Sequence, residues 1–234
     1  MIHSALENVK PEPKLNSEQT AQDSQVSQPI AKPSVSSIPS LGLSACQKIA
    51  VEICYKLQPF CEKINIAGSV RRNKQEPKDI EIICIPKKEV LKDMFGWDEG
   101  VIVDLQFQKE VEQLGETIKG KPDGKYMQIK LPQGIILDLF MPDDFDYYRQ
   151  YAIRTGSADY SFKVIANGWK KKGWCGSDKG LRKISDCVET KTPDGKSKWK
   201  CVKANAELPP VWQSEEQFFE WLGIKYLPPN RRNI

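Results

Sequence analysis

Ile64-Asn65-Ile66-Ala67-Gly68-Ser69-Val70-Arg71-Arg72, then Asn73 to Lys78, then Asp79-Ile80-Glu81-Ile82-Ile83-Cys84-Ile85 is the stretch on which the reading of this chain turns. An apolar run ends in Gly-Ser and two arginines, and a short polar loop leads to two acids inside a strongly β-forming run. Asp79 and Glu81 stand two apart, so a strand points both to one face. Two carboxylates on an otherwise apolar strand repel each other and are costly to bury. A divalent cation is the commonest physical reason to keep such a pair. Gly68-Ser69 offers backbone N–H groups and a hydroxyl, and Arg72 a guanidinium, to an anion. Phosphate donors beside a metal pair suit phosphoryl transfer.

Working outward, Leu43, Cys46, Ile49, Ala50, Ile53 and Leu57 recur at helical spacing, predicting an amphipathic helix over 41–60 that leads into a strand at Ile64. The signal weakens from Pro86 to Gly124, with a helix expected over Phe107 to Leu114. Tyr126 to Leu131 and Gly134 to Phe140 are expected to form a hairpin across Pro132-Gln133-Gly134. Asp138 is the one charged residue of the second strand. If that strand lies beside the first acid pair, three carboxylates converge. Thr155-Gly156-Ser157 opens an expected helix over Ala158 to Lys172, and short strands follow around Thr192-Pro193-Asp194-Gly195. Ser214-Glu215-Glu216-Gln217 is a capping box before Phe218, Phe219, Trp221 and Leu222, and Tyr226 to Ile234 is expected to be an extended tail. The fold class expected from this order is α+β.

Residues 1–40 are rich in Ser, Gln, Pro and Glu and are expected to be a disordered leader. No apolar run is long enough for a membrane span, and no secretory apolar core follows Met1. Seven cysteines without a C-x-x-C pair suit buried, reduced thiols and an intracellular chain. His3 is the only histidine, which argues against a His-based triad or a His–Cys zinc site. Between Lys163 and Lys203 twelve basic residues face four acids, with Trp169, Trp174 and Trp199 interleaved. That balance points to a nucleic-acid backbone as partner. The tryptophans suit a core better than base stacking. Lys170, Lys171 and Lys172 suit either a solvated helix end or phosphate contacts.

Gly68-Ser69-Val70-Arg71-Arg72, Asp79-Ile80-Glu81, Leu137-Asp138-Leu139, Tyr147-Tyr148 and Thr155-Gly156-Ser157 occur in this order and at fitting intervals. Together with the closing Ser214 to Leu222 segment, Lys225-Tyr226 and Pro228, they resemble the DNA polymerase X family, the polymerase beta-like nucleotidyltransferases. The resemblance covers roughly Ile64 to Arg232, apart from the insert at 86–124.

That resemblance implies a nucleotidyltransferase palm with a mixed β-sheet over 41–150 and a small C-terminal α/β thumb-like module over 151–234. It implies that Asp79, Glu81 and Asp138 hold two Mg²⁺ ions, with Mn²⁺ as a substitute. Asp138 would stand nearest a primer 3′-hydroxyl as proton acceptor. Gly68, Ser69 and Arg72 would hold the nucleotide phosphates, with Arg71 facing solvent, and Thr155, Gly156 and Ser157 would lie against the sugar. Lys170 to Lys172 would touch DNA. The implied partners are a primer or gapped duplex and a deoxynucleoside triphosphate, with no membrane, for a monomer in the cytoplasm, nucleoid or nucleus, plausibly in gap filling or repair.

The chain departs from the family pattern in three places. The second acid is Glu81 where the family usually has aspartate; glutamate is one methylene longer and displaces a metal it ligates. Ile153 and Arg154 stand where family polymerases often carry aromatic residues. The stretch between residue 40 and Ile64 holds one helix, too little for an amino-terminal lyase domain, so no lyase activity is expected. A template-independent or RNA-directed transferase on the same palm, and a nucleic-acid binding module without catalysis, are the competing readings.

Overall fold

The computed structural model describes residues 41–193, 195 and 197–234, so the leader expected over 1–40 lies outside the described residues. All the described residues fall in one unit. Helix α1, Leu43–Leu57, sets Cys46, Ala50, Ile53 and Leu57 on one buried face, as its spacing requires. A 3₁₀ turn over Gln58–Phe60, with Pro59 inside it, stops the helix and starts strand β1, Cys61–Ile66. Gly68–Arg71 closes into one helical turn, α2, before β2, Asp79–Pro86.

The 86–124 insert holds elements with little sequence signal. A hairpin of β3, Lys88–Lys92, and β4, Asp98–Val103, forms its own two-stranded sheet. Helix α3, Leu105–Glu112, is capped by the Asp104 side chain, which accepts from the Phe107 N–H at 2.7 Å. Strands β5, Glu116–Gly120, β6, Tyr126–Lys130, and β7, Ile136–Phe140, complete a five-stranded sheet in the order β1-β2-β7-β6-β5. β2 and β7 run parallel and the other neighbours antiparallel, so the sheet is mixed. Ile80, Ile82, Leu137, Leu139, Met127 and Ile129 fill one face and pack with α1 and α3. Each fully buried aliphatic side chain there contributes about 1.5–3 kcal/mol. The acids stand on the other face.

Helix α4, Tyr147–Thr155, crosses that other face, where Tyr147 packs on Ile83, Ile85 and Phe140. The helix expected over Ala158 to Lys172 is helical but not uniform: α5, Ala158–Tyr160, a π-helical segment, Ser161–Ala166, and α6, Asn167–Lys171. A second sheet follows: β8, Trp174–Ser177, β9, Gly180–Lys183, β10, Cys187–Lys191, and β11, Ser197–Cys201, in the order β10-β11-β8-β9. Helix α7, Glu215–Leu222, starts where the capping box places it, with Ser214 Oγ accepting from the Gln217 N–H at 3.2 Å. The other half of the box differs: Gln217 Oε1 accepts from the Gln213 N–H. Trp169, Trp174, Trp212, Phe218 and Phe219 form the core of this part, as expected for Trp169 and Trp174, whereas Trp199 on β11 is half-exposed and outside it.

The tail is the main departure from expectation. Pro229–Arg231 form a 3₁₀ turn, and Arg232 is fully buried. Its guanidinium donates to both oxygens of Glu215. Arg71, expected to face solvent, donates from the opposite side to the same two oxygens at 3.0 and 2.9 Å. It also lies 3.8 Å from the centre of the Tyr151 ring. A buried carboxylate needs this much compensation. Burial alone would raise the Glu215 pKa, but the hydrogen bonds from Arg232 and Arg71 outweigh it and hold the carboxyl below its usual value. The overall class is α+β, as expected.

Candidate active site

Parallel pairing of β2 with β7 sets Glu81 directly opposite Asp138 and Asp79 opposite Ile136. Asp79, Glu81 and Asp138 therefore share one patch of one sheet face, half-buried beside Tyr126 and Gln128. Burial raises the Asp79 pKa, and the neighbouring Asp138 adds to it. Burial pushes Glu81 up to about 7, with Asp79 as the next cause. Among the described residues none of the three makes an ion pair, so the patch carries surplus negative charge. The side chains are not drawn into one cage: among the described residues no three carboxylates, thiols or imidazoles are gathered at metal-holding distance. The cause is local. Asp138 Oδ1 accepts from Tyr126 Oη at 2.6 Å and from Gln128 Nε2 at 2.9 Å. The Tyr126 hydroxyl is pushed up to about 12, by burial and by this bond to a carboxylate.

Gly68 has φ +64° and sits against the Glu81 carboxylate, where any Cβ would collide with it. The loop and the acid pair are thus fitted to each other by a missing side chain. Next to Gly68, the Ser69 hydroxyl is buried and has no partner. It lines a cavity of about 370 Å³ together with Arg72, Lys74, Lys78, Asp79, Glu81, Gly156 and Ser157. Four cations, Arg154 being the fourth, and an unused hydroxyl suit a polyphosphate, and the two acids suit its metal.

Arg72 reaches this cavity while bound to the protein: Nη1 donates to the Thr155 carbonyl at 2.7 Å and Nε to Asn233 Oδ1 at 2.8 Å. Thr155 is fully buried, and its hydroxyl accepts from Arg71 Nη1 at 2.6 Å. It joins the two parts of the chain and does not line the cavity. Gly156 and Ser157 do line it, and Ser157 caps α5 by accepting from the Tyr160 N–H at 3.1 Å. Lys170, Lys171 and Lys172 are all exposed at the end of α6, with Lys172 Nζ 5.7 Å above the Trp221 ring.

Tyr126 and Gln128 were not singled out from the sequence. The signal was there: a hairpin centred on Gln133 pairs Gln128 with Asp138, and Tyr126 lies two residues away on the same face. Glu215 and Arg232 gave no such signal, because nothing local ties a tail arginine to a helix-start glutamate.

Residues 151–233 match the family model described as DNA polymerase beta thumb. No curated protein matches the chain. The match makes the C-terminal part similar to a polymerase beta thumb, over less than half of the chain. It supports the chain as a polymerase X-like family member, in agreement with the motifs from Gly68 to Ser157.

Proposed function

We propose that the chain is a DNA polymerase-type nucleotidyltransferase that joins a deoxynucleoside monophosphate, from its triphosphate, to a DNA 3′-hydroxyl and releases pyrophosphate. The carrying observation is the pairing of surplus carboxylate on β2 and β7 with the cationic cavity beside it, in a chain with a polymerase beta-type thumb. The five-stranded mixed sheet would be the palm. The donor set fits divalent ions: three carboxylates on one sheet face offer hard oxygen ligands, and among the described residues no thiol or imidazole lines the adjoining cavity. Asp79, Glu81 and Asp138 would hold two Mg²⁺ ions, or Mn²⁺. Such ions, when bound, stabilise charge on the attacking and leaving oxygens.

The chain's own groups would do the rest. Tyr126 and Gln128 hold Asp138 Oδ1 and so orient the carboxylate that would take the proton of the 3′-hydroxyl. Ser69, Arg72, Lys74 and Lys78 would grip the triphosphate, and Gly156 and Ser157 would border the sugar. Lys170, Lys171 and Lys172 would meet the DNA backbone. Among the described residues no helix is long and apolar enough to cross a membrane. Monomeric action inside a cell, in gap filling or repair, completes the proposal.

A second reading, a nucleic-acid binder without catalysis, is favoured by Asp138 already being engaged by Tyr126 and Gln128. Primer extension separates the two. With Mg²⁺ or Mn²⁺, gapped and primed DNA should be extended by deoxynucleotides in a template-directed way. Extension without template, or only with ribonucleotides or on RNA, would establish the other transferase. No incorporation on any substrate, with DNA still bound, would establish the binder.

A further inference from the structure

Arg154 is a half-buried charge to which the proposed chemistry gives no role. Its guanidinium lies 4.0 Å from the centre of the Phe140 ring, on the strand that carries Asp138. Its Nε is buried and has no hydrogen-bond partner. No carboxylate among the described residues comes within ion-pair distance of it, while Glu81 and Asp138 are the acids acting on it. Arg154 and Glu81 both line the cationic cavity of about 370 Å³ and a second cavity of about 560 Å³ that holds Asp138 and Tyr126. They stand where the two spaces meet. A buried cation without a paired anion is costly unless surrounding negative charge offsets it. Here the offset is the surplus charge of the acid patch, shared without contact.

Building on the reading of Asp79, Glu81 and Asp138 as metal-holding, we infer that Arg154 is an internal counter-cation of that patch, which divalent ions must outcompete. With the ions absent, the guanidinium lowers the mutual repulsion of the three carboxylates. When ions enter, the same guanidinium is repelled, and sliding along the Phe140 face is the movement open to it. Arg154 thereby sets the concentration of metal at which the site fills. In this role it acts through the carboxylates.

Direct Mn²⁺ binding tests this without any reaction. The full chain, stripped of metal by chelator, is titrated with Mn²⁺ and free ion is counted by electron paramagnetic resonance. Arg154→Gln and Arg154→Met remove the charge, and Arg154→Lys keeps it; folding of each is checked by circular dichroism. The neutral variants should bind Mn²⁺ roughly tenfold more tightly, and the lysine variant should match wild type. Neutral variants that bind as wild type does, or more weakly, overturn the inference and leave the metal site standing. Absence of Mn²⁺ binding in wild type and in folded neutral variants alike overturns both.

Discussion

Two groups of buried charge lie on either side of α4 and have opposite character. At the junction of α2, α7 and the tail, Glu215 is held between Arg71 and Arg232, and every oxygen is used. On the sheet face, among the described residues, Asp79, Glu81 and Asp138 have no ion-pair partner, and only Asp138 is hydrogen-bonded to neighbouring side chains. The first arrangement is complete in itself and ties Gly68–Arg71 to the C-terminal part. The second is incomplete, and burial is pushing Asp79 and Glu81 toward protonation. Charge satisfied by protein is structure; charge left over points to a ligand.

The sharpest way to break this contrast is to neutralise one acid in each group. Glu215→Gln leaves the buried Arg232 and the half-buried Arg71 short of their counter-charge and should cost about 3–5 kcal/mol in urea unfolding. A loss under about 1 kcal/mol would mean the junction is not needed for the fold. pH should act on the same group. The folded-state pKa of Glu215 is depressed below 4.5, so its stabilisation is fully present above that value. It is lost as pH falls through 4.5 toward the folded value, and Glu215→Gln should remove this part of the acid sensitivity.

Glu81→Gln should do the reverse. In chelator it should leave the protein unchanged or more stable by about 1–2 kcal/mol, because a repulsive charge is gone. Added Mg²⁺ should then raise the melting temperature of wild type and not of the variant, a gain that follows mass action. A destabilised Glu81→Gln protein would place this carboxylate with the satisfied group. Smallest is Tyr126→Phe, which removes one donor to Asp138 and should cost about 0.5–1.5 kcal/mol in unfolding. In a separate measurement, replacing Lys170, Lys171 and Lys172 by alanine should lower the salt slope of DNA binding by about 2–3. An unchanged slope would leave these lysines as a solvated helix end.

Local pattern carried what was legible. The spacing of Cys46, Ala50, Ile53 and Leu57 located α1, and the Pro132-Gln133-Gly134 turn located the β6–β7 hairpin. Acids two apart on β2 and a lone acid on β7 pointed to a shared face, which the parallel register supplies. What stayed hidden depends on long-range contact. Arg71 looked like the solvent-facing member of an arginine pair, yet its carboxylate is 144 residues away. Arg232 sat in a Pro-rich tail and is buried because α7 needs it. The β3–β4 hairpin keeps exposed apolar residues such as Phe95 and Trp97, so no alternation marked a buried face.

The measurement closest to the central claim compares wild type with Asp138→Ala, following nucleotide incorporation and DNA binding in the same samples with Mg²⁺. The account predicts incorporation by wild type, its loss by about 100-fold or more in the variant, and DNA affinity unchanged between them. Incorporation that survives in Asp138→Ala would contradict it, because the acid patch would then not be the place where the chemistry occurs.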